Sequence, residues 1–150
     1  MYEMKIIVLL LGLLLASTNA IADLSISATD ASVRAPIPGM KNTVGYLKLT
    51  NNGESDVVLV NAQSNASKVL EFHNHEMTNG VMRMYQQQEV KIPVGETVVF
   101  QSGGLHLMFL DVEPGLKGNN LVDVTFETRS GDKFIIPFNV ESIKVKHHHH

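Results

Sequence analysis

The stretch TVGYLKLT, from Thr43 to Thr50, alternates between two kinds of side chain and therefore predicts a β-strand. Gly45, Leu47 and Leu49 fall on one face of that strand, while the opposite face becomes more polar towards Thr50. The next residues, NNGESD, are typical of a turn because asparagine, glycine and aspartate favour turn conformations. A short strand followed by a tight turn is the unit from which we infer the fold class.

The same unit recurs along the rest of the chain. Further runs rich in β-branched and aromatic residues are VVLVNA, SKVLEFH, VMRMYQ, ETVVFQ, LHLMFLD, LVDVTFET and KFIIPFNV. Turn sequences such as TNG, PVG, SGG and RSGD separate these runs, and SNASK is a candidate for a single helical turn. About seven to nine short strands at this spacing predict a single all-β domain, either a sandwich or a Greek-key barrel.

The N-terminal segment has the pattern of a secretory leader. Lys5 precedes an apolar run from Ile6 to Ala16, and the segment ends with the sequence Ala-Ile-Ala at residues 20–22. The run is shorter than the ~20 apolar residues that a membrane-spanning helix requires. We therefore predict a signal peptide over residues 1–22, export of a mature chain that begins at Asp23, and no stable membrane insertion after cleavage.

The cysteine content and the net charge narrow the classes of partner. The 150-residue chain contains no cysteine, so we expect neither disulfides nor a lipid anchor attached to cysteine. A chain of this size can bury a sufficient core without cross-links, and we expect it to be a monomer. Its formal net charge of −3 gives no reason to expect nucleic acid or an anionic membrane as a partner.

The histidines and methionines are concentrated in one part of the chain. Outside the last four residues there are three histidines, and outside the predicted leader there are five methionines, of which only Met40 lies away from residues 73–108. A single methionine in a strand is more often core, and a single histidine at a strand end is more often on the surface. Three pairs spaced to share a strand face favour a binding site instead. These pairs are His73 with His75, Met82 with Met84, and His106 with Met108.

These residue types favour a soft metal ion. Thioethers are soft and neutral, and imidazole is borderline, so the mixed set suits Cu(I) better than Mg²⁺, Ca²⁺ or Mn²⁺. Zinc sites usually recruit cysteine or carboxylate beside histidine, and a blue-copper site requires a cysteine thiolate, which this chain lacks. Methionine should hold copper less tightly than a thiolate does, so the set suits transport of the ion better than catalysis.

The spacing of these residues resembles the motif of the periplasmic copper chaperones of the PCu(A)C family. A histidine, ten residues, a methionine, twenty-one residues and His-x-Met make up that motif, and the same intervals separate His73 from Met84 and Met84 from His106. The segments DASVRAPIPG, GYLKLTNNG, NGVMRMY, IPVGETVVF and GGLHLMFLD are also similar to the family. The resemblance therefore covers nearly the whole mature chain.

The resemblance implies a cupredoxin-like β-barrel over residues 23–146, located in the periplasm. It implies that Cu(I) is bound by His73, Met84, His106 and Met108. It also implies that the copper is delivered for assembly of the copper centres of cytochrome c oxidase. The recipient would be the copper-site subunit of the oxidase or another oxidase assembly factor.

Other residues of the same segment have less direct predicted roles. Glu71 and Glu76 are expected to be solvated acids rather than ligands. Because a ligand that exchanges metal must be reached from outside, we expect His106 at an exposed rim. Met82 shares a face with Met84 and is expected to be either core or a supporting contact. The candidate auxiliary metal contacts are His75, Met77 and Met82.

The chain ends in KVKHHHH, which raises a separate question. The four terminal histidines are either the remnant of a purification tag or a native extension, and the intact leader favours the native alternative. A native tail would form a second metal site for Cu(II), which favours imidazole nitrogen. The residues of that site would be His147, His148, His149 and His150.

Three other classes of function are compatible with the sequence. A periplasmic copper-buffering or resistance protein that sequesters the ion would use the same ligands as a chaperone. A metalloenzyme would need an open coordination position beside an acid or base, and no Ser/His/Asp arrangement, HExxH sequence or phosphate loop is evident. We therefore predict that the chain is not an enzyme. A purely structural sandwich domain would leave the motif spacing unexplained.

Overall fold

The computed structural model describes residues 24–142, and within that range the regular structure consists of β-strands without any helix. The strands, in chain order, are β1 (Ile26–Arg34), β2 (Thr43–Asn51), β3 (Val57–Gln63), β4 (Ser67–Thr78), β5 (Val81–Gln86), β6 (Val90–Ile92), β7 (Thr97–Phe100), β8 (His106–Val112), β9 (Leu121–Thr128) and β10 (Lys133–Glu141). The predicted signal peptide over residues 1–22 and the terminal histidines 147–150 lie outside the described residues. In the described range, no helix is long and apolar enough to cross a membrane.

Seven of the strands close into a barrel. Hydrogen-bonded neighbours run in the order β4, β8, β2, β1, β10, β9 and β3, and β3 pairs again with β4 through Ala62 and Leu70. Neighbours in this ring are antiparallel except for β1 and β10, which are parallel. β5 extends the sheet beyond β4, β6 pairs with β3, and β7 pairs with β2. The prediction of an all-β barrel is therefore confirmed.

Alternating side chains fill the barrel. Gly45, Leu47 and Leu49 are buried, as the alternation in TVGYLKLT predicts. Fully burying a large apolar side chain contributes roughly 1.5–3 kcal/mol, so the buried aromatic residues dominate the core. A Cβ at position 45 would lie 2.8 Å from the ring of Phe109, so only glycine lets this ring pack so closely against the backbone of β2. The largest buried side chains are Phe100, Phe109, Phe126 and Phe138.

Two of the ten strands are not evident from the sequence pattern. β1 contains a bulge, because its register against β2 shifts between Thr29 and Ser32, and Asp30 has a φ of 56°. Such a bulge interrupts the alternation by which a strand is predicted. β6 has only three residues, too few to display a period. The predicted helical turn at SNASK is wrong, because Asn65 and Ala66 form a simple turn and β4 begins at Ser67.

Candidate metal centre

Three neighbouring strands, β5, β4 and β8, carry all the predicted metal-binding residues that the structure describes. Residues directly opposite one another, and residues two apart on a strand, share one face of a sheet. Phe72 and Leu107 are buried on the opposite face, towards the core. Four neighbouring cross-strand pairs on the outward face of these three strands carry the predicted residues. The pairs are Glu71 with Met108, His73 with His106, His75 with Met84, and Met77 with Met82.

The two histidines of the motif contact each other, and the two methionines flank them. The ring centroids of His73 and His106 are 5.9 Å apart, and the ring planes are tilted by 50°. Met84 lies one cross-strand pair nearer the β4–β5 turn, and Met108 lies one pair further from it. The four residues therefore share one face of three adjacent strands, which is a necessary condition for a common site. Their role as a ligand set stays a prediction.

His73 has a buried ring nitrogen without a partner. Its Nε2–H donates a hydrogen bond of 2.7 Å to Oε2 of Glu71, since an ionised carboxylate can only accept. In the neutral ring Nδ1 then carries no proton, and it is buried with no hydrogen-bond partner among residues 24–142. An unsatisfied buried acceptor costs roughly 1–3 kcal/mol. A metal ion bound at Nδ1 would remove that cost.

In His106 the ring nitrogen left without a hydrogen bond within the described residues is Nε2, whereas in His73 it is Nδ1. Its Nδ1–H donates a hydrogen bond of 2.8 Å to the carbonyl oxygen of Gly104, which leaves Nε2 unprotonated. Burial is the main cause that lowers the pKa of His106 below 6.5. The bond to Gly104 opposes that shift, and the neighbouring His75 and His73 add to it. His106 is therefore neutral at pH 7, and neutral imidazole is the form that binds metal.

A third imidazole packs against this pair. The ring centroid of His75 lies 5.3 Å from that of His106, and its Nδ1 is 3.4 Å from the same carbonyl oxygen of Gly104. The loop that immediately precedes β8 thus orients His106 strongly and His75 weakly. The sequence gives no signal for this role of Gly104, because the contact is made by its backbone.

The centre is closed on the histidine side and open on the methionine side. His106 is only 3% exposed, so the expectation that it lies at an exposed rim is wrong. The rings of His73 and His75 and the loop at Gly104 cover it. Met84 is 49% exposed, which makes it the motif residue most accessible from solution. Met82 is also exposed, which excludes a core position for it.

Glu71 has a role that the sequence prediction missed. The side chain is 25% exposed and is hydrogen bonded to His73, so the expectation that it is a solvated acid is wrong. A carboxylate in this position orients the imidazole and makes its free nitrogen a better metal ligand. The available signal was its position two residues before His73, on the same strand face. Glu76, in contrast, is exposed as expected.

We predict that Glu71→Gln weakens Cu(I) binding by roughly tenfold and that Glu71→Ala weakens it further, because partners that orient a ligand typically contribute about 10–100-fold in metal affinity. Chelator competition would measure the affinity, and ¹⁵N chemical shifts of the His73 ring would report the tautomer. Glu76→Gln is the matched control and should change neither quantity. An unchanged affinity and tautomer in Glu71→Ala would exclude this positioning role.

The chemistry of the donor set limits which metal fits. No group of three or more histidine, cysteine or acidic side chains between Leu24 and Ser142 is arranged to hold a metal ion. The methionine sulfurs are further donors on the face that carries the histidines. Two neutral imidazole nitrogens with two thioethers suit Cu(I), which prefers soft donors.

A cavity adjoins the centre on the side of Met108. Its volume is about 1030 Å³, and its apolar wall includes Ile37, Met40 and Val44. None of the three histidines of β4 and β8 lines it. Met108 is therefore shared between the candidate centre and this cavity.

The chain is similar in sequence to a known protein family and to an individual relative. The family described as "Putative lipoprotein LpqE-like" matches residues 26–140. The relative "Putative lipoprotein Lxx21020" from Leifsonia xyli subsp. xyli (strain CTCB07) is 28% identical over 107 residues, which make up 71% of this chain. Those residues make up 63% of the relative, so this chain spans less than two thirds of its length.

Solved structures share the fold at low sequence identity. The copper-bound PCuAC domain from PmoF2 has a TM-score of 0.65 and 18% identity, covering 78% of this chain and 92% of that domain. The CuI form of DR1885 from Deinococcus radiodurans has a TM-score of 0.58 and 24% identity, covering 79% of this chain and 78% of that protein. The cupredoxin-like barrel that the motif resemblance implied is therefore confirmed as the fold.

Proposed function

Because this chain belongs to the LpqE-like family and has the fold of PCuAC domains, we propose that it is an exported carrier of Cu(I). The similar domain from PmoF2 is copper-bound, and the similar protein DR1885 is described in a CuI form. The motif spacing of His73, Met84, His106 and Met108 supports the same cargo for this chain. The metal would be cargo rather than a resident cofactor.

One observation carries the proposal. Two histidines in contact each hold one ring nitrogen in a hydrogen bond to a specific acceptor, which leaves Nδ1 of His73 and Nε2 of His106 available to a metal ion when the rings are neutral. Nδ1 of His73 is buried and has no partner in the described range. Met84 and Met108 supply thioethers on either side of the histidine pair. Such a neutral set stabilises the +1 ion without drawing it towards the +2 state.

The location that fits this cargo is the periplasm, reached through the predicted signal peptide over residues 1–22. The word lipoprotein in the names of the family and of the relative supports export. The sequence itself contains no cysteine. A carrier releases its ion by ligand exchange and needs no catalytic group, so we assign this chain no enzymatic reaction.

The recipient that the motif resemblance implies is the copper-site subunit of cytochrome c oxidase or another oxidase assembly factor. The test is to mix the Cu(I)-loaded protein anaerobically with a purified soluble domain of that subunit and to measure copper in each protein after separation. Copper should move to the recipient. Retention on the carrier would instead support the alternative function, a periplasmic buffering or resistance protein that sequesters copper.

The terminal histidines allow a prediction that is independent of the Cu(I) site in the barrel. If residues 147–150 are native, their imidazoles should bind Cu(II), whereas Cu(I) binding should depend on the barrel alone. Deleting these four residues should remove most Cu(II) uptake and leave the tight Cu(I) equivalent unchanged. Titration of both ions against the truncated chain checks this, and loss of tight Cu(I) binding would contradict it.

A further inference from the structure

The face that carries the candidate centre continues beyond it along the β4–β5 hairpin. Asn79 and Gly80 form its two-residue turn, both with positive φ, at 51° and 77°. Such a turn matches the twist of two antiparallel strands and fixes their register. The pair Met77 and Met82 is therefore held directly next to the pair of His75 and Met84.

The outer methionines are exposed to an extent that packing does not explain. Met77 is 64% exposed and Met82 is 55% exposed, although methionine usually fills cores. All six residues of β5 are exposed, and Met77 lies in the exposed end of β4, so neither side chain supports the barrel. The stability of the barrel therefore does not explain why two methionines lie at the tip of this hairpin.

The surroundings of these two side chains are chemically uniform. From residue 75 to residue 84, the face that carries them holds only imidazole and thioether side chains. The charged residues Glu76 and Arg83 are paired with each other on the opposite face of the hairpin. No carboxylate on this part of the face competes for a soft cation or favours a hard one.

We propose that His75, Met77 and Met82 form a second, outer Cu(I) site through which the ion enters and leaves the inner centre. This inference rests on the proposed function, because it takes Cu(I) as the cargo. Nδ1 of His75 faces the carbonyl oxygen of Gly104, which leaves Nε2 as the ligating nitrogen. Directly opposed and diagonal strand neighbours are about 4.5–8 Å apart, within reach of long side chains.

The outer site is connected to the inner one by shared neighbours. Met84 lies opposite His75, and the rings of His75 and His106 are 5.3 Å apart. Transfer is an exchange of ligands in which one sulfur–copper or nitrogen–copper bond forms as another breaks. Copper stays in the +1 state throughout, so no electron or proton donor is required. The outer site has three donors where the inner one has four, and it is therefore the weaker of the two.

Methionine methyl NMR on the full chain tests the outer site directly. Cu(I) would be added anaerobically to protein labelled with ¹³C at the methionine methyl groups. The methyl signals of Met84 and Met108 should shift with the first equivalent, and those of Met77 and Met82 with the second. Met40 lies away from the hairpin and should not shift. The terminal histidines can also bind copper, but the methyl signals of Met77 and Met82 report only on the hairpin.

A double variant tests whether the outer methionines contribute to copper loading. Met77→Leu with Met82→Leu removes both sulfurs at exposed positions, so the barrel should fold normally. We expect the tight equivalent to be retained, the weaker hairpin binding to be lost, and the rate of copper loading from a chelator to fall. Met40→Leu is the matched control for the loss of an exposed methionine.

The outcomes separate this inference from the proposed function. If the wild type binds no tight Cu(I), the proposed carrier function fails, and the outer site fails with it. If the wild type binds one tight equivalent but Met77 and Met82 show no shift, only the outer site is excluded. Unchanged loading in the double variant would likewise exclude its role as an entry path.

Discussion

Replacing Met84 and Met108 together by leucine should abolish tight Cu(I) binding and leave the barrel folded. Leucine keeps most of the side-chain volume but has no sulfur, so two imidazoles would remain as the only inner ligands. Groups that merely orient a ligand contribute about 10–100-fold in affinity, and removing two direct ligands should cost more than the upper end of that range. A 100-fold loss corresponds to about 2.7 kcal/mol. Anaerobic competition with a Cu(I) chelator measures the affinity.

The chain offers a matched control for this experiment. Met40 is exposed and lines the cavity beside Met108, but it lies outside the cross-strand pairs of the centre. Met40→Leu should bind Cu(I) as the wild type does. Thermal unfolding of each metal-free variant verifies that the barrel is intact. A tight equivalent that survives in the folded double variant would eliminate these methionines as ligands.

The fold was predictable where each strand carries its own signal. The runs VMRMYQ and LVDVTFET coincide residue for residue with β5 and β9. Their β-branched and aromatic residues, bounded by turn sequences, decide the structure locally. The closed ring of seven strands has no such signal, because it requires β1 to pair with β10 and β3 to pair with β9, and these strands lie far apart in the sequence. The bulge at Asp30 likewise depends on pairing with β2.

The candidate centre was likewise predictable from the sequence only in part. Residue types and spacing within a strand were sufficient to predict that His106 and Met108 share a face. That His73 lies opposite His106 required the register between β4 and β8, which the pattern of one strand does not contain. The roles of Glu71 and Gly104 required the tautomers of the two histidines. Those follow from acceptors that become visible only in the assembled site.

Part of the pH dependence of copper binding should come from the buried histidine, His106. Cu(I) affinity should fall as the pH drops from about 7 to 5, because a histidine must lose its proton before it binds metal. Burial lowers the pKa of His106 below 6.5, so protons compete for its Nε2 at a lower pH than they would for an ordinary imidazole. Thioethers do not titrate there. His106→Met should therefore retain some affinity for the soft ion and give a shallower dependence on pH.

Comparing two substitutions at this position separates ligation from packing. His106→Ala removes the donor and leaves a gap beside His73 and His75, so Cu(I) affinity should fall by more than about 100-fold. His106→Met supplies a thioether in place of the imidazole and should recover part of that loss. Measuring affinity at several pH values for the wild type and both variants distinguishes the two effects. An unchanged pH slope in His106→Met would mean that Nε2 of His106 does not bind the ion. The methionine would then be a neutral replacement for a buried ring hydrogen bonded only to Gly104.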